Sequence, residues 1–398
     1  MRTDDSLDWL NTVLWPCGDG GFVRADESVS DGLGRCWWAS PGVENPHTLV
    51  PTAPRRAARR SARRYHDGKP WPARARVLAA EVAMGSPLTP AVGPFAQRIS
   101  ATGLDRGVIG ALREEFGQDL VFAVTLASPK SNRKAVLQLL APDGECVGFA
   151  KVSPDPWNDR LLANEAAWLA RAAPPSLRVP AVRRHGEAGG RMVLVQEAVL
   201  PPRMLRRGPV DSPPVHLFDD VAAMGTRRRA SVDESSWMGS VRTVLDHADP
   251  ADRLLLEHAL AAHSAPLELG AWHGDLASWN LYTGRDAIAV IDWEFAADDV
   301  PLGFDVCHFH LQVANELLGL DAASALRWAR ERIADPLVGL GVEPREHAAL
   351  WRLYLVELVR RSLALRAGDL PITGVRHGVV ALDYLRAISP TPTMEVVS

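Results

Sequence analysis

Lysine is nearly missing from this sequence: Lys69, Lys130, Lys134 and Lys151 are the only four among 44 basic side chains, the rest being arginine. Gene base composition can account for the general bias, so the informative point is where a lysine is kept. Cysteine is as sparse. Cys17, Cys36, Cys146 and Cys307 stand at no metal-ligand spacing, which excludes a zinc knuckle and a disulfide framework. Neither sign of charge is in excess, since 44 basic against 48 acidic residues give a formal net charge of -4 and no global field for nucleic acid or an anionic membrane. No run approaches about 20 uninterrupted apolar residues, so no transmembrane helix is expected. The first residues, MRTDDSLDWLNTVLW, carry acids where a signal peptide would need a basic start. A cytoplasmic protein is expected, with neither nucleic acid nor membrane as a partner. The 398 residues, 47% hydrophobic and 23% charged, are ample for a sizeable core and exclude a mostly disordered chain.

Three regions differ in texture. Residues 1–118 are rich in Trp, Gly, Pro and Arg and weakly periodic; they read as an N-terminal extension of unclear role, with a helix near Ala73 to Met84. Within them RRAARRSARRY, Arg55 to Tyr65, reads as a helix whose basic face is either solvated or in contact with phosphate or an acidic surface. Residues 119–199 read as strands. DLVFAVTLAS, AVLQLLAPDG and ECVGFAKVS are separated by turn formers such as Pro129, Asn132, Asp143 and Gly144, as in an antiparallel meander. A helix follows with Asp155 at its N-cap and Pro156 at its first position, running toward Pro174, and RVPAVRRHG and RMVLVQEAV add two strands. Five strands and one helix are thus expected. Residues 200–398 are mainly helical, with segments at Asp249 to His263, Ala322 to Ala334, Glu346 to Ala367 and Val375 to Ile388.

A polar island, AWHGDLASWNLYTGRDAIAVIDWEF from Ala271 to Phe295, interrupts the helices. His273, Gly274, Asp275 and Asn280 form H-G-D-x-x-x-x-N, and Asp292 follows the apolar run Ala287 to Ile291. A turn at Gly284, Arg285 and Asp286 would fold the chain back and bring Asn280 near Asp292. An amide oxygen beside a carboxylate is a hard-oxygen site suited to Mg²⁺, which keeps waters and takes its other ligands from phosphates. Asp275 would face the same site and can accept a proton from a hydroxyl or orient it. Upstream, Lys151 ends the strand ECVGFAK, and in the next helix Leu161, Leu162, Trp168, Leu169 and Ala172 surround Glu165 with an apolar stripe. A carboxylate there is costly unless paired, and Lys151 is the cation that a strand-then-helix geometry supplies.

The order of Asp275, Asn280 and Asp292 is that of the catalytic loop and metal aspartate in kinases. The chain resembles the aminoglycoside phosphotransferase and choline kinase group, where H-G-D often replaces H-R-D and the metal aspartate opens I-D-[WF]-E, here Ile291 to Glu294. GFDVCHFH, Gly303 to His310, is similar to that group's segment with a helix-opening aspartate, Asp305. The resemblance implies an α+β, bilobal, protein-kinase-like fold: a five-stranded antiparallel N-lobe with one helix, a mainly helical C-lobe, and ATP or another nucleoside triphosphate with Mg²⁺ between them. It implies Asp275 as base, Asn280 and Asp292 as metal ligands, and Lys151 on the phosphates, fixed by Glu165. Ser131 and Asn132, in the glycine-free turn PKSNRK, would cap phosphates or form only a polar turn. Gln196 and Glu197 would pair through their backbone with the adenine edge.

The acceptor is expected to be a hydroxyl of a small molecule. Asp292 to Asp305 leaves about a dozen residues, too few for a segment that holds a peptide substrate. Glu294, Asp298 and Asp299 form either an acidic rim for a cationic aminoglycoside or amino alcohol or a solvated loop, and Trp279 and Trp293 either a cation–π surface or core. Sugars remain open, and Glu357 is a candidate on the acceptor side. His273 is read as a support of the loop, and His308 and His310, two apart on a helix, would point apart rather than share a metal. The alternative is a degenerate kinase fold that binds nucleotide or a partner without transfer.

Overall fold

The computed structural model describes residues 6–24, 35–40, 46–63, 97–126, 133–199, 213–261, 265–283, 288–367 and 376–388. They fall into two compact units, the first taken from Met1–Ala170, Val179–Pro209 and Tyr282–Arg285, the second from Arg171–Arg178, Val210–Leu281 and Asp286–Ser398.

The strands up to residue 199 are β1 (Gly21–Arg24), β2 (Cys36–Ser40), β3 (Thr48–Pro51), β4 (Gln97–Thr102), β5 (Val121–Leu126), β6 (Ala135–Leu140), β7 (Cys146–Val152), β8 (Leu177–Arg178), β9 (Val182–Ala188) and β10 (Arg191–Gln196). The helices are α1 (Ser6–Leu14), α2 (Arg55–Arg63), α3 (Gly107–Phe116) and α4 (Pro156–Leu169). All five expected strands are present, but the sheet of the first unit has nine, in the order β1-β4-β2-β3-β5-β6-β7-β10-β9. The expected five-stranded sheet is corrected accordingly. Thr48 and Leu49 pair with Thr125 and Val124, so β5 has β3 beside it where a five-stranded sheet would end in an open edge.

Alternation along the strands sends side chains to two faces. Phe122, Val124, Leu137, Leu139, Ala150, Val152, Val193 and Val195 share one core with Leu10 and Trp15 at α1, Val108 and Leu112 of α3, and Phe22, Trp37 and Ile99 from the first hundred residues. Val121 and Leu140 face the other way, against Ala57 of α2, and Leu194 faces Leu162 and Ala166 of α4. Parity therefore puts Lys151, between Ala150 and Val152, on the α4 face. Helix α4 begins as expected, its Asp155 carboxylate accepting the Asn158 N–H at 2.9 Å with Pro156 in the first turn, and it ends at Leu169. The expected helix at 73–84 lies outside the described residues.

The second unit carries α5 (Val215–Ala222), α6 (Ser236–Leu245), α7 (Pro250–Ala261), α8 (Phe304–Gln312), α9 (Ala322–Arg332), α10 (Ala334–Gly339), α11 (His347–Ala367) and α12 (Arg376–Ile388). Its strands include β11 (Arg228–Ala230), β12 (Leu267–Trp272), β13 (Leu281–Thr283, which leads into the first unit), β14 (Ile288–Val290) and β15 (Ala297–Pro301). β12 lies antiparallel between β11 and β15, and β14 runs parallel to β8. Among the described residues no helix is long and apolar enough to cross a membrane.

Candidate active site

In the first unit Lys151 and Glu165 meet: Nζ donates to both carboxylate oxygens, at 2.7 and 2.8 Å, with the glutamate fully withdrawn from water and the lysine 7% exposed. Gln196 is buried at the end of β10, and its Nε2 has no hydrogen-bond partner among the described residues. The Glu197 N–H already donates to the Ala181 carbonyl at 2.8 Å and its side chain pairs with Arg183, so one of the backbone donors expected for an adenine edge is taken. Gly148, in β7, lies close to that strand end, where a Cβ would stand 2.5 Å from the Gln196 carbonyl oxygen. Ser131 and Asn132 lie outside the described residues.

In the second unit the H-G-D loop leaves β12 at Trp272. His273 is fully buried, and burial holds its imidazole down at about 4, so it is neutral near pH 7. Its partners set the tautomer: Nε2–H donates to the Ile291 carbonyl at 3.0 Å, and the Asp275 N–H donates to Nδ1 at 3.2 Å. It therefore supports the loop, as expected. Gly274 has φ +83°, and a Cβ there would lie 2.2 Å from the Phe295 carbonyl oxygen, so no side chain fits in place of the glycine. Asp305 opens α8 and accepts the backbone N–H groups of His273 (2.7 Å) and Gly274 (3.2 Å). Burial raises its carboxyl to about 7 against the pull of those two bonds.

Asp275 is held from two sides. The neutral His308 ring, whose pKa burial lowers, stands 3.2 Å from Oδ1 through Nε2 and 3.1 Å from the Tyr354 hydroxyl through Nδ1. A carboxylate only accepts, so Nε2 carries the proton and the tyrosine donates to Nδ1. Asn280 donates its amide to the Asp275 carbonyl at 2.9 Å and, more loosely, to Oδ2 at 3.4 Å, which turns its Oδ1 the other way. His308 was missed in the sequence as a partner of Asp275, 33 residues away. His310 bonds instead to the Val306 carbonyl, so the two histidines do point apart.

The Ile291 N–H donates to the Asn280 carbonyl at 3.1 Å, which closes the expected hairpin at its base; the turn at 284–286 lies outside the described residues. The next residue, Asp292, has φ 67° and ψ 57°, a left-handed conformation that a non-glycine adopts at a cost. Among the described residues no three His, Cys, Asp or Glu side chains gather as a metal site. Asn280 and Asp292 offer one amide oxygen and one carboxylate. That donor set fits Mg²⁺ completed by water and phosphate and would not suit a softer ion.

Two acceptor-side readings, Glu357 and the acidic rim, are corrected, and for Trp293 the core alternative holds. Glu357 is fully buried and bound by Arg360, Arg361 and Trp237, so it faces no acceptor. Trp293 is fully buried with its N–H on the Val290 carbonyl, so it is core. The acidic rim is not free: Asp298 pairs with Arg171 at 2.6 Å, Asp299 with Arg228 at 2.7 and 2.9 Å, and Glu294 is buried.

No protein-family model matches the chain, and no curated protein matches it. Among solved structures it is similar to an aminoglycoside phosphotransferase, in a thermostable mutant form crystallised with AMP-PNP and hygromycin B, at 17% identity and TM-score 0.44, covering 70% of this chain and 96% of that one. It is similar to a choline/ethanolamine kinase family protein from Mesorhizobium loti at 15% identity and TM-score 0.39, covering 68% and 88%. A glucosamine kinase crystallised with glucosamine, ADP and phosphate is similar at 15% identity and TM-score 0.33, covering 65% and 74%. At these identities the residues of the chain itself must carry any functional reading.

Proposed function

We propose that this protein is a small-molecule kinase of the cytoplasm, transferring the γ-phosphoryl group of ATP, or another nucleoside triphosphate, to a hydroxyl. The observation that carries this reading is the buried pair of Lys151 and Glu165, which the spacing of the H-G-D island had no part in predicting. In this reading Lys151 neutralises phosphate oxygens and Glu165 holds the ammonium in place. Asn280 and Asp292 hold Mg²⁺, which when bound offsets charge on the phosphates. Asp275, steadied by His308 and Asn280, accepts the hydroxyl proton as the acceptor oxygen bonds to the γ-phosphorus and the bond from that phosphorus to the β–γ bridging oxygen breaks, its electrons leaving with the nucleoside diphosphate.

The test is ADP formation over a panel of amino alcohols, amino sugars, neutral sugars and sugar acids. Asp275→Ala is expected to lower transfer by about 10² to 10⁴-fold while nucleotide affinity stays within error. Equal turnover by parent and variant would remove Asp275 from the mechanism. Absence of acceptor-stimulated ADP release from the parent would favour the degenerate, non-transferring alternative.

A further inference from the structure

The guanidinium of Arg361 is only partly engaged within the second unit. The fully buried Glu357 takes Arg360 in a two-point pair at 2.5 and 2.8 Å, accepts the Arg361 Nε–H at 2.7 Å, and accepts the Trp237 indole N–H at 2.9 Å. One carboxylate thus faces two guanidinium groups, and the cluster keeps a surplus positive charge. Only Nε of Arg361 is engaged; among the described residues its two terminal amino groups make no hydrogen bond, so four of the five N–H donors remain. The guanidinium nonetheless packs against aromatic rings, with Cζ 4.6 Å from the Trp272 ring centroid and 5.6 Å from that of Phe295. The Trp272 indole N–H, on one of those rings, is buried without a hydrogen-bond partner among the described residues.

The fork adjoins the catalytic loop. Phe295 packs on Gly274, the residue before Asp275, and Trp272 is the residue before His273. Asp305 on α8 is near enough to feel Arg361, but its carboxyl is committed to two backbone N–H groups and is raised by burial, so it offsets only part of the surplus. Tyr354 and the neutral His308 face the same cluster and carry no charge near pH 7. The acids that would welcome a cationic acceptor, Asp298 and Asp299, are neutralised by Arg171 and Arg228.

A guanidinium lying over two aromatic rings with its terminal amino groups unengaged matches a carboxylate or phosphate in a two-point bond. We propose that Arg361 is the anion fork of the acceptor site, and that the acceptor is a hydroxyl compound bearing a carboxylate or phosphate rather than a polycation. This rests on the phosphotransfer reading above.

The test uses thermal-shift titrations of the full chain without nucleotide, at constant ionic strength, with D-glucuronate, D-glucose 6-phosphate and D-glycerate against D-glucose, D-glucosamine and glycerol, on the parent, Arg361→Gln and Arg361→Lys. The anionic compounds are expected to raise the melting temperature of the parent. Their half-saturating concentrations should rise about tenfold or more in Arg361→Gln, with partial recovery in Arg361→Lys. The lysine variant also decides the matter should the glutamine variant fold poorly. The proposal is overturned if D-glucosamine acts as D-glucuronate does, if the anion response survives in Arg361→Gln, or if no compound shifts the parent. A parallel ATP titration separates the sources of the anion: equal loss of ATP and D-glucuronate binding in Arg361→Gln would assign the fork to nucleotide phosphate and overturn the acceptor assignment. Anion shifts that depend on Arg361 without ADP formation from any anionic compound would uphold the fork and sink the transfer reading.

Discussion

Lys151 and Glu165 show how one side chain fixes the worth of another. Taking both charges out of water costs several kcal/mol each, and the pair endures because Nζ reaches both oxygens. Such a pair adds little to stability over apolar residues of similar volume, so its retention argues for chemistry. Glu165→Gln keeps the volume but strands a buried ammonium, and is expected to destabilise the protein by about 3–5 kcal/mol in urea denaturation and to weaken ATP binding. The double variant Lys151→Met, Glu165→Leu should recover most of that stability and none of the activity. If the double variant turned over like the parent, the pair would be architecture alone. This pair was legible because a carboxylate inside an apolar stripe demands a partner, and few lysines were available. Glu357 was misread although the signal was present: Arg360 and Arg361, at i+3 and i+4, are the positions from which a helix neutralises its own glutamate. The contact from His308 to Asp275 had no local signal, since helix spacing tells where a side chain does not point and says nothing of a loop 33 residues upstream.

Among elements, β5, β6, β7, β9 and β10 were legible from apolar runs of strand length between turn residues, and α4 from Asp155 and Pro156. The first four strands were not. β1 and β3 have four residues each, too short for a period to register, and Gly21 pairs with Thr102 some eighty residues away, a distance over which sequence pattern carries no pairing information. What looked like an extension completes the sheet and its core. Trp37 of β2 is fully buried, donates its indole N–H to the Phe122 carbonyl of β5 at 2.7 Å, and lies 4.9 Å and 5.2 Å from the Phe122 and Phe22 rings. Trp37→Ala is therefore expected to cost about 3–5 kcal/mol in a single cooperative urea transition that carries nucleotide binding with it. A separate early transition that spared nucleotide binding would mean that these strands are an appendage.

For the whole molecule, the buried titratable groups set the acid limb of stability, and their signs differ. His273 is held at about 4, below its ordinary 6.5, so the native state binds fewer protons than the unfolded chain between those values and stability falls as pH drops through that window. Asp305 is raised from 3.8 to about 7, so the native state binds more protons and stability rises as pH drops from 7 toward 4. Each is worth roughly 3–4 kcal/mol at full extent, and over pH 4 to 6.5 they oppose each other. Glu357 has no such counterweight. Burial pushes its carboxyl up, but Arg360 and Arg361 outweigh that and hold it at about 2 against an ordinary 4.5. Its contribution is complete above pH 4.5 and is lost as pH falls toward 2, about 3 kcal/mol in all. His308 and His310, also lowered by burial, add to the His273 side, so stability should decline as pH falls below 6.5, with Glu357 adding its own loss below pH 4.5. Glu357→Gln should be less stable than the parent at pH 7, and the gap should close as pH approaches 2, measured as urea midpoints across the series. A gap that stayed constant below pH 4.5 would show that the glutamate is not ionised against its two arginines, and the surplus positive charge inferred around Arg361 would have to be recounted.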